Sequence, residues 1–253
     1  MSTDRERIIS RDNALVKLAV KLASSRAHRR EVGLYLCDGP TLLPEALDKG
    51  AVVTAILCAE GMLLPALPPE VRVAELPEQL LRAVSPTDTP QGVVFMVRLP
   101  DTTPPAPLTK GRFVLLDRVQ DPGNVGSILR TAMAFGVSGV LLGPGCADPF
   151  SPKTVRASMG AAFSGRVFES ADLSAALSGC GLPVYAAALA EDAVDIREAD
   201  MSSCVLLLGN EGAGLSEDLL DRADQIVQIP MEAGCQSLGV AAAAAVLLWE
   251  AGR

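Results

Sequence analysis

Five near-continuous apolar runs in the second half of the chain set the narrowest limits on its fold: FVLLD at 113–117, GVLLG at 139–143, PVYAA at 183–187, CVLLLG at 204–209 and QIVQIPM at 225–231. A strand that is apolar on both faces must be covered on both, as parallel strands are when helices flank the sheet. Helical segments lie between the runs: VGSILRTAMAFG, SPKTVRASMGAAF and SEDLLDRA, the last with Ser216 placed as N-cap and Glu217 and Asp218 in the first turn. The pattern predicts an α/β domain built on a parallel sheet. Periodicity alone would draw that sheet open and Rossmann-like.

The clearest interruption is LPDTTPPAPLTKG, residues 99–111, where four prolines break any period. A linker is placed there, dividing the chain into a front domain at 1–100, a Pro-rich linker at 101–110 and a larger domain at 111–253. In front of it GLYLCDG, AVVTAILCA, VRVAEL and GVVFMVRL read as short strands, with TLLPEALDKG as a helix, so the front domain is α/β as well.

Composition excludes several classes. With 49% hydrophobic residues the chain is no disordered polymer, and a formal charge of -8 argues against coating nucleic acid with its whole surface. The leader differs: Arg5, Arg7, Arg11, Lys17, Lys21, Arg26, Arg29 and Arg30 face only Asp4, Glu6 and Asp12. Either it is a solvated amphipathic helix with Leu15, Leu18, Val20 and Leu22 inward, or it contacts RNA phosphates. Six cysteines without a C-x-x-C pair, and no apolar signal segment, point to a reduced cytoplasmic protein. The longest apolar run, Val240 to Trp249, is about half of a membrane span, so no membrane partner is expected. His28 is the single histidine, which leaves no basis for a histidine metal cluster or a serine–histidine triad, and no metal is expected.

Three segments of the larger domain share one plan, an apolar strand, a loop of Gly, Pro, Asn and acidic residues, then a helix, and ligands bind in such loops. In FVLLDRVQDPGNVGSILRTAMAFG, Asn124 is placed as a helix cap and Gly136 as the C-terminal stop. Arg130 stands among apolar residues, where a guanidinium needs a carboxylate, a phosphate or a subunit contact; a structural ion pair is the plain alternative. In LLLGNEGAGLS, Gly209, Gly212 and Gly214 frame Asn210 and Glu211, without the lysine and threonine of a phosphate loop. Glu211 is a site residue or an ordinary turn residue. In IPMEAGCQSLGVAAAAAVLLWE, Ile229 closes a strand and Ser237 precedes a helix apolar on every face, which calls for burial in a subunit interface; capping is the simplest role for Ser237.

Taken together and in this order, the three segments resemble the three motifs of the SpoU family of RNA ribose 2'-O-methyltransferases. DPFSPKTVRASMGAAF, residues 148–163, is similar to the family's stretch between motifs one and two, and the front domain resembles, more weakly, the ribosomal-protein-like substrate-binding domain that many members carry. The resemblance implies a SPOUT domain with a deep trefoil knot, dimerising through the knotted region. It also implies bent S-adenosyl-L-methionine held by backbone groups at Gly209, Ile229 and Leu238, and an RNA substrate, tRNA or rRNA. Arg130 is then the central catalytic residue, with Asn124, Glu211 and Ser237 ordering the site. An arginine base is awkward because a guanidinium is a donor that does not give up its proton in proteins, so Arg130 is read as a donor to a phosphate or a developing alkoxide. The third motif, commonly Glu-Ser-Leu-Asn, here reads Gln236-Ser237-Leu238-Gly239. That departure keeps a second reading open, a catalytically weak RNA-binding or ribosome-assembly protein on the same scaffold. A dinucleotide enzyme lacks its G-x-G-x-x-G.

Overall fold

The structure, a computed structural model, describes residues 5–232 and 237–253; Gln236 lies outside them. Two compact units are present, Met1–Pro100 with Asp148–Phe163, and Asp101–Ala147 with Ser164–Arg253.

The first unit runs β1 (Glu6–Arg7), α1 (Ala14–Ser24), α2 (Arg26–Val32), β2 (Leu34–Asp38), α3 (Leu42–Asp48), β3 (Val53–Ala59), β4 (Arg72–Leu76), α4 (Glu78–Val84) and β5 (Val93–Arg98). Its sheet has the order β1-β4-β3-β5-β2, with β5 antiparallel to both neighbours. The four longer strands coincide with the apolar runs; β1, two residues long, leaves no period to read. Asn13 caps α1 by accepting from Leu15 N at 2.8 Å. The helix buries Leu15, Val16, Ala19 and Leu22, while Val20, expected inward, is turned out and 43% exposed.

The basic leader is also partly neutralised. Arg5, Arg7 and Lys17 pair with Glu75, Glu60 and Asp12. Arg29 is buried: Nε and Nη2 donate to Asp148 Oδ2 at 2.9 and 2.6 Å, and Nη1 donates to Leu22 O at 2.6 Å. Removing one partner of such a pair costs about 3–5 kcal/mol, so Arg29 serves the fold and is closed to phosphate.

The second unit begins with the Pro-rich stretch, which is packed rather than hanging free. Thr102 O accepts from Glu169 N, Leu108 O accepts from Gly181 N, and Leu108 is 1% exposed. Prolines lack a donor, and this strap binds through its carbonyls. There follow β6 (Phe113–Leu116), α5 (Pro122–Ala134) and β7 (Gly139–Leu142). The chain then passes through Asp148–Phe163 in the first unit, which holds α6 (Pro152–Ala157). It continues with β8 (Val167–Glu169), α7 (Leu173–Ala176), β9 (Val184–Ala187), β10 (Val194–Asp195), β11 (Val205–Leu208), α8 (Glu217–Leu220), β12 (Gln225–Gln228) and α9 (Val240–Glu250).

Seven strands form one parallel sheet, ordered β10-β12-β9-β11-β6-β7-β8. Its core includes Leu115, Leu141, Val205 and Leu207, each fully buried Leu contributing roughly 1.5–3 kcal/mol. β8 and β10 are short outer strands that the apolar runs did not reveal. Because β6 and β11 are neighbours, the loops that leave their carboxyl ends emerge side by side. Among the described residues no helix is long and apolar enough to cross a membrane.

Candidate active site

The loop after β6 starts with Asp117, a buried carboxylate. Its Oδ2 accepts from Ser216 N at 2.8 Å, and both oxygens accept from the Arg118 guanidinium at 3.1 Å. Arg118 holds φ +55, and its carbonyl accepts from Asn210 Nδ2 at 2.8 Å. Asn210 in turn folds the second loop: Oδ1 accepts from Gly212 N and Ala213 N at 2.9 Å, and its backbone exchanges two 3.0 Å hydrogen bonds with Gly214. A Cβ on Gly209 would stand 2.4 Å from Gly214 C and Leu215 N, so the loop closes only over glycine. Beneath the first loop, the Cys146 thiol donates to Leu116 O at 3.1 Å, and burial pushes its pKa up, keeping it a neutral donor.

At the outer lip of these loops Asn124 Nδ2 donates to Glu211 Oε1 at 2.7 Å. Two residues singled out separately in the sequence, 87 positions apart, thus form one pair. Asn124 does not cap its helix, however. Asp121 does, accepting from Asn124 N at 2.9 Å with Pro122 at the first helical position, which leaves the Asn124 amide to reach across. Glu211 is therefore more than a turn residue.

Arg130 lies two turns further along α5 and is exposed. The expected desolvation does not arise, because the helix turns this position outward between buried Leu129 and half-buried Thr131. No intrachain ion pair or hydrogen bond holds Arg130 among the described residues, so the structural ion pair is not there, and none joins it to Asn124 or Glu211. Ser237 also departs from its simplest reading. Gly239, at φ +73, is the N-cap of α9, and Ser237 precedes it by two residues and is exposed. Ser216 occupies the N-cap of α8 without a side-chain capping bond.

Ile229 is half-buried one residue past β12, and Leu238 is 41% exposed. Their main-chain groups take no part in the turn, loop or cap hydrogen bonds of the described residues. A cofactor held through the main chain needs donors and acceptors that turns, loops and caps do not take, and in that respect these two residues fit an adenosyl group. Asp117 and Arg118 escaped the sequence reading, which named Asn210 between its glycines but gave it no role. The available signal was an Asp ending an apolar strand and an Asn between glycine-rich neighbours, both favoured where side chains bond local backbone.

The sequence profile of the SpoU rRNA Methylase family matches residues 111–249, and that of the MRM3-like substrate binding domain matches residues 13–94. The chain belongs to the SpoU rRNA methylase family. It is 34% identical to the 23S rRNA (guanosine(2553)-2'-O)-methyltransferase RlmP of Bacillus subtilis, over 96% of this chain and 98% of the relative. It is 31% identical to the 23S rRNA (uridine(2479)-2'-O)-methyltransferase of Streptomyces viridochromogenes, over 99% of this chain and 93% of the relative. Among solved structures, the AdoMet-bound rRNA methyltransferase from Sinorhizobium meliloti superposes with a TM-score of 0.84 at 32% identity, covering 97% of both chains. Within this SpoU member the networked loops are those of motifs one and two, and the exposed Ser237-Leu238-Gly239 stretch is that of motif three.

Proposed function

We propose that this chain transfers a methyl group from S-adenosylmethionine to a ribose 2'-hydroxyl of ribosomal RNA. The observation that carries the reading is the Asn124–Glu211 pair, which ties motif one to motif two at the carboxyl ends of adjacent strands. The two relatives named above act on a guanosine and a uridine, each at the 2'-oxygen, so the ribose is the target they share. An active enzyme is favoured over a scaffold without chemistry.

The cofactor supplies an electrophilic methyl group, and Gly209, Ile229 and Leu238 hold it through the backbone. The other residues have to hold the 2'-hydroxyl in line and ease the loss of its proton. Arg130, exposed and without an intrachain partner among the described residues, donates to an RNA phosphate or to the charge that develops on the 2'-oxygen. Asn124 and Glu211 fix the lip over which the ribose enters, and Ser237 adds a hydroxyl from motif three.

The same reading places a homodimer on the second unit. α9 buries Val240, Ala244, Leu247 and Leu248 but exposes Ala242, Val246 and Trp249, a stripe at helical spacing that a second copy would cover. The family likeness and the packing of α9 back on α5, with Phe135 and Trp249 rings 5.9 Å apart, support a trefoil knot. The free thiols Cys37, Cys58, Cys146, Cys180 and Cys204 support a reducing compartment, the cytoplasm.

The test is transfer of a labelled methyl group to ribosomal RNA lacking its native methylation, with the labelled atom mapped. Arg130→Ala should abolish labelling while changing stability by less than about 0.5 kcal/mol, since the residue is exposed. Full activity in that variant would remove Arg130 from the mechanism.

A further inference from the structure

Among the described residues two buried side-chain atoms lack a hydrogen-bond partner, Arg112 Nη1 and Asp38 Oδ1. The second stands in polar company. Asp38 closes β2, and its side chain is 4% exposed. The other oxygen, Oδ2, accepts from Thr87 Oγ1 at 2.8 Å and from Ser85 Oγ at 3.3 Å. Both hydroxyls belong to SPTDTPQG, residues 85–92, the loop that leads from α4 into β5 beside β2. The Arg156 guanidinium of α6, 43% exposed, lies 3.9 Å from the same oxygen. Gln91 brings its amide oxygen to 3.1 Å from where a Cβ on Gly39 would sit, and Gly39 holds φ +115.

One end of the five-stranded sheet thus gathers two hydroxyls and a guanidinium at Oδ2 of a carboxylate, sets the Gln91 amide beside the neighbouring Gly39, and leaves Oδ1 buried without a hydrogen-bond partner among the described residues. Stapling the loop accounts for Oδ2 alone, and a buried acceptor left bare, as Oδ1 is, opposes folding. Unpaired RNA is read through hydrogen bonds to the edges of splayed bases, and a carboxylate oxygen accepts from base N–H groups. We propose that this end of the first unit is a recognition site for one unpaired base of the RNA substrate. Asp38 Oδ1 accepts an N–H from the base edge, and Arg156 meets the neighbouring phosphate. Base entry requires the loop at 85–92 to shift, because Oδ1 is closed to solvent in the unbound chain. The inference rests on ribosomal RNA being the substrate and adds where a base is read.

Asp38→Asn tests it. An asparagine fills the same space, its carbonyl still accepts from Thr87 and Ser85, and its amide puts a donor where Oδ1 was. The full chain is mixed with 23S rRNA fragments randomised at their unpaired positions, and the bound fraction is sequenced beside thermal melting and S-adenosylmethionine binding. The wild-type protein should enrich one base at one unpaired position. The variant should keep its melting temperature and cofactor affinity, bind RNA on the order of tenfold more weakly, and lose or change that enrichment. Unchanged affinity and base preference in a folded variant would reduce Asp38 to a loop staple and overturn the site. Should Asp38→Asn not fold, Arg156→Gln decides: the logarithmic salt dependence of RNA binding should become shallower by about one unit, and an unchanged slope overturns the site. A wild-type chain that binds no RNA of any sequence would instead remove the substrate reading itself.

Discussion

The loops of motifs one and two and the loop of motif three sit on the same parallel sheet but are built differently. The first two are stitched together by Asp117, Arg118, Asn210, Asn124 and Glu211, with a glycine at position 209 where no side chain fits. The third presents Ser237, Leu238 and Gly239 to solvent and enters α9 through a positive φ. The difference teaches that in the proposed site the chain itself fixes the first two loops, while the described part of the third, residues 237–239, stands exposed where a ligand could complete it. Preorganisation is most useful where charge develops, which fits the placing of Arg130 on the helix that follows the first loop.

Gly209→Ala should break the contrast most strongly. A methyl group 2.4 Å from the backbone of Gly214 and Leu215 has no flexible side chain to displace, so the second loop must open. We expect a loss of about 3 kcal/mol in denaturant unfolding and cofactor affinity down roughly 100-fold by calorimetry. A variant that melts and binds like the wild type would mean that the second loop is as adaptable as the third.

Asn124→Ala is a milder probe of the same half. It removes the 2.7 Å bond to Glu211 but leaves the Asp121 cap and the Asp117–Arg118–Asn210 network in place. The pair is exposed, so stability should fall by less than about 1 kcal/mol, while single-turnover methyl transfer should slow roughly tenfold with cofactor binding unchanged. A rate equal to wild type would show that the lip is only a surface contact.

Much of this was legible in the sequence, and the exceptions share a cause. The five apolar runs located β6, β7, β9, β11 and β12; burial on both faces gives β6, β7 and β11 a composition that no loop shares, while β12 buries only Val227 and was found by its β-branched residues. β8 and β10, of three and two residues at or near the sheet margins, are set by their neighbours' hydrogen bonds and carry no pattern of their own. Asn124, Arg130, Gly209 and Glu211 stood out by residue type and setting, yet Asn124 meeting Glu211 is a fact of strand order, invisible until β6 and β11 are known to be neighbours. Arg29 shows the reverse failure. It read as one of eight basic residues that were either solvated or in contact with RNA, because nothing in a charge run reveals that Asp148, 119 positions later, returns to bury it.

The third loop is best probed by a variant read on stability alone. Gly239→Asn restores the residue that SpoU motifs commonly carry, at a position whose φ of +73 and ψ of 146 are almost confined to glycine. An asparagine held there costs about 1–3 kcal/mol, which lowers the melting temperature by about 2–10 °C. If the ligand completes this half of the site, that cost belongs to the unliganded backbone alone. Saturating S-adenosylmethionine should then let the loop leave the positive-φ region and shrink the gap between variant and wild type. A gap of equal size with and without cofactor would show that the positive φ is as firmly built in as the Gly209 turn, and that the two halves of the site are equally preorganised.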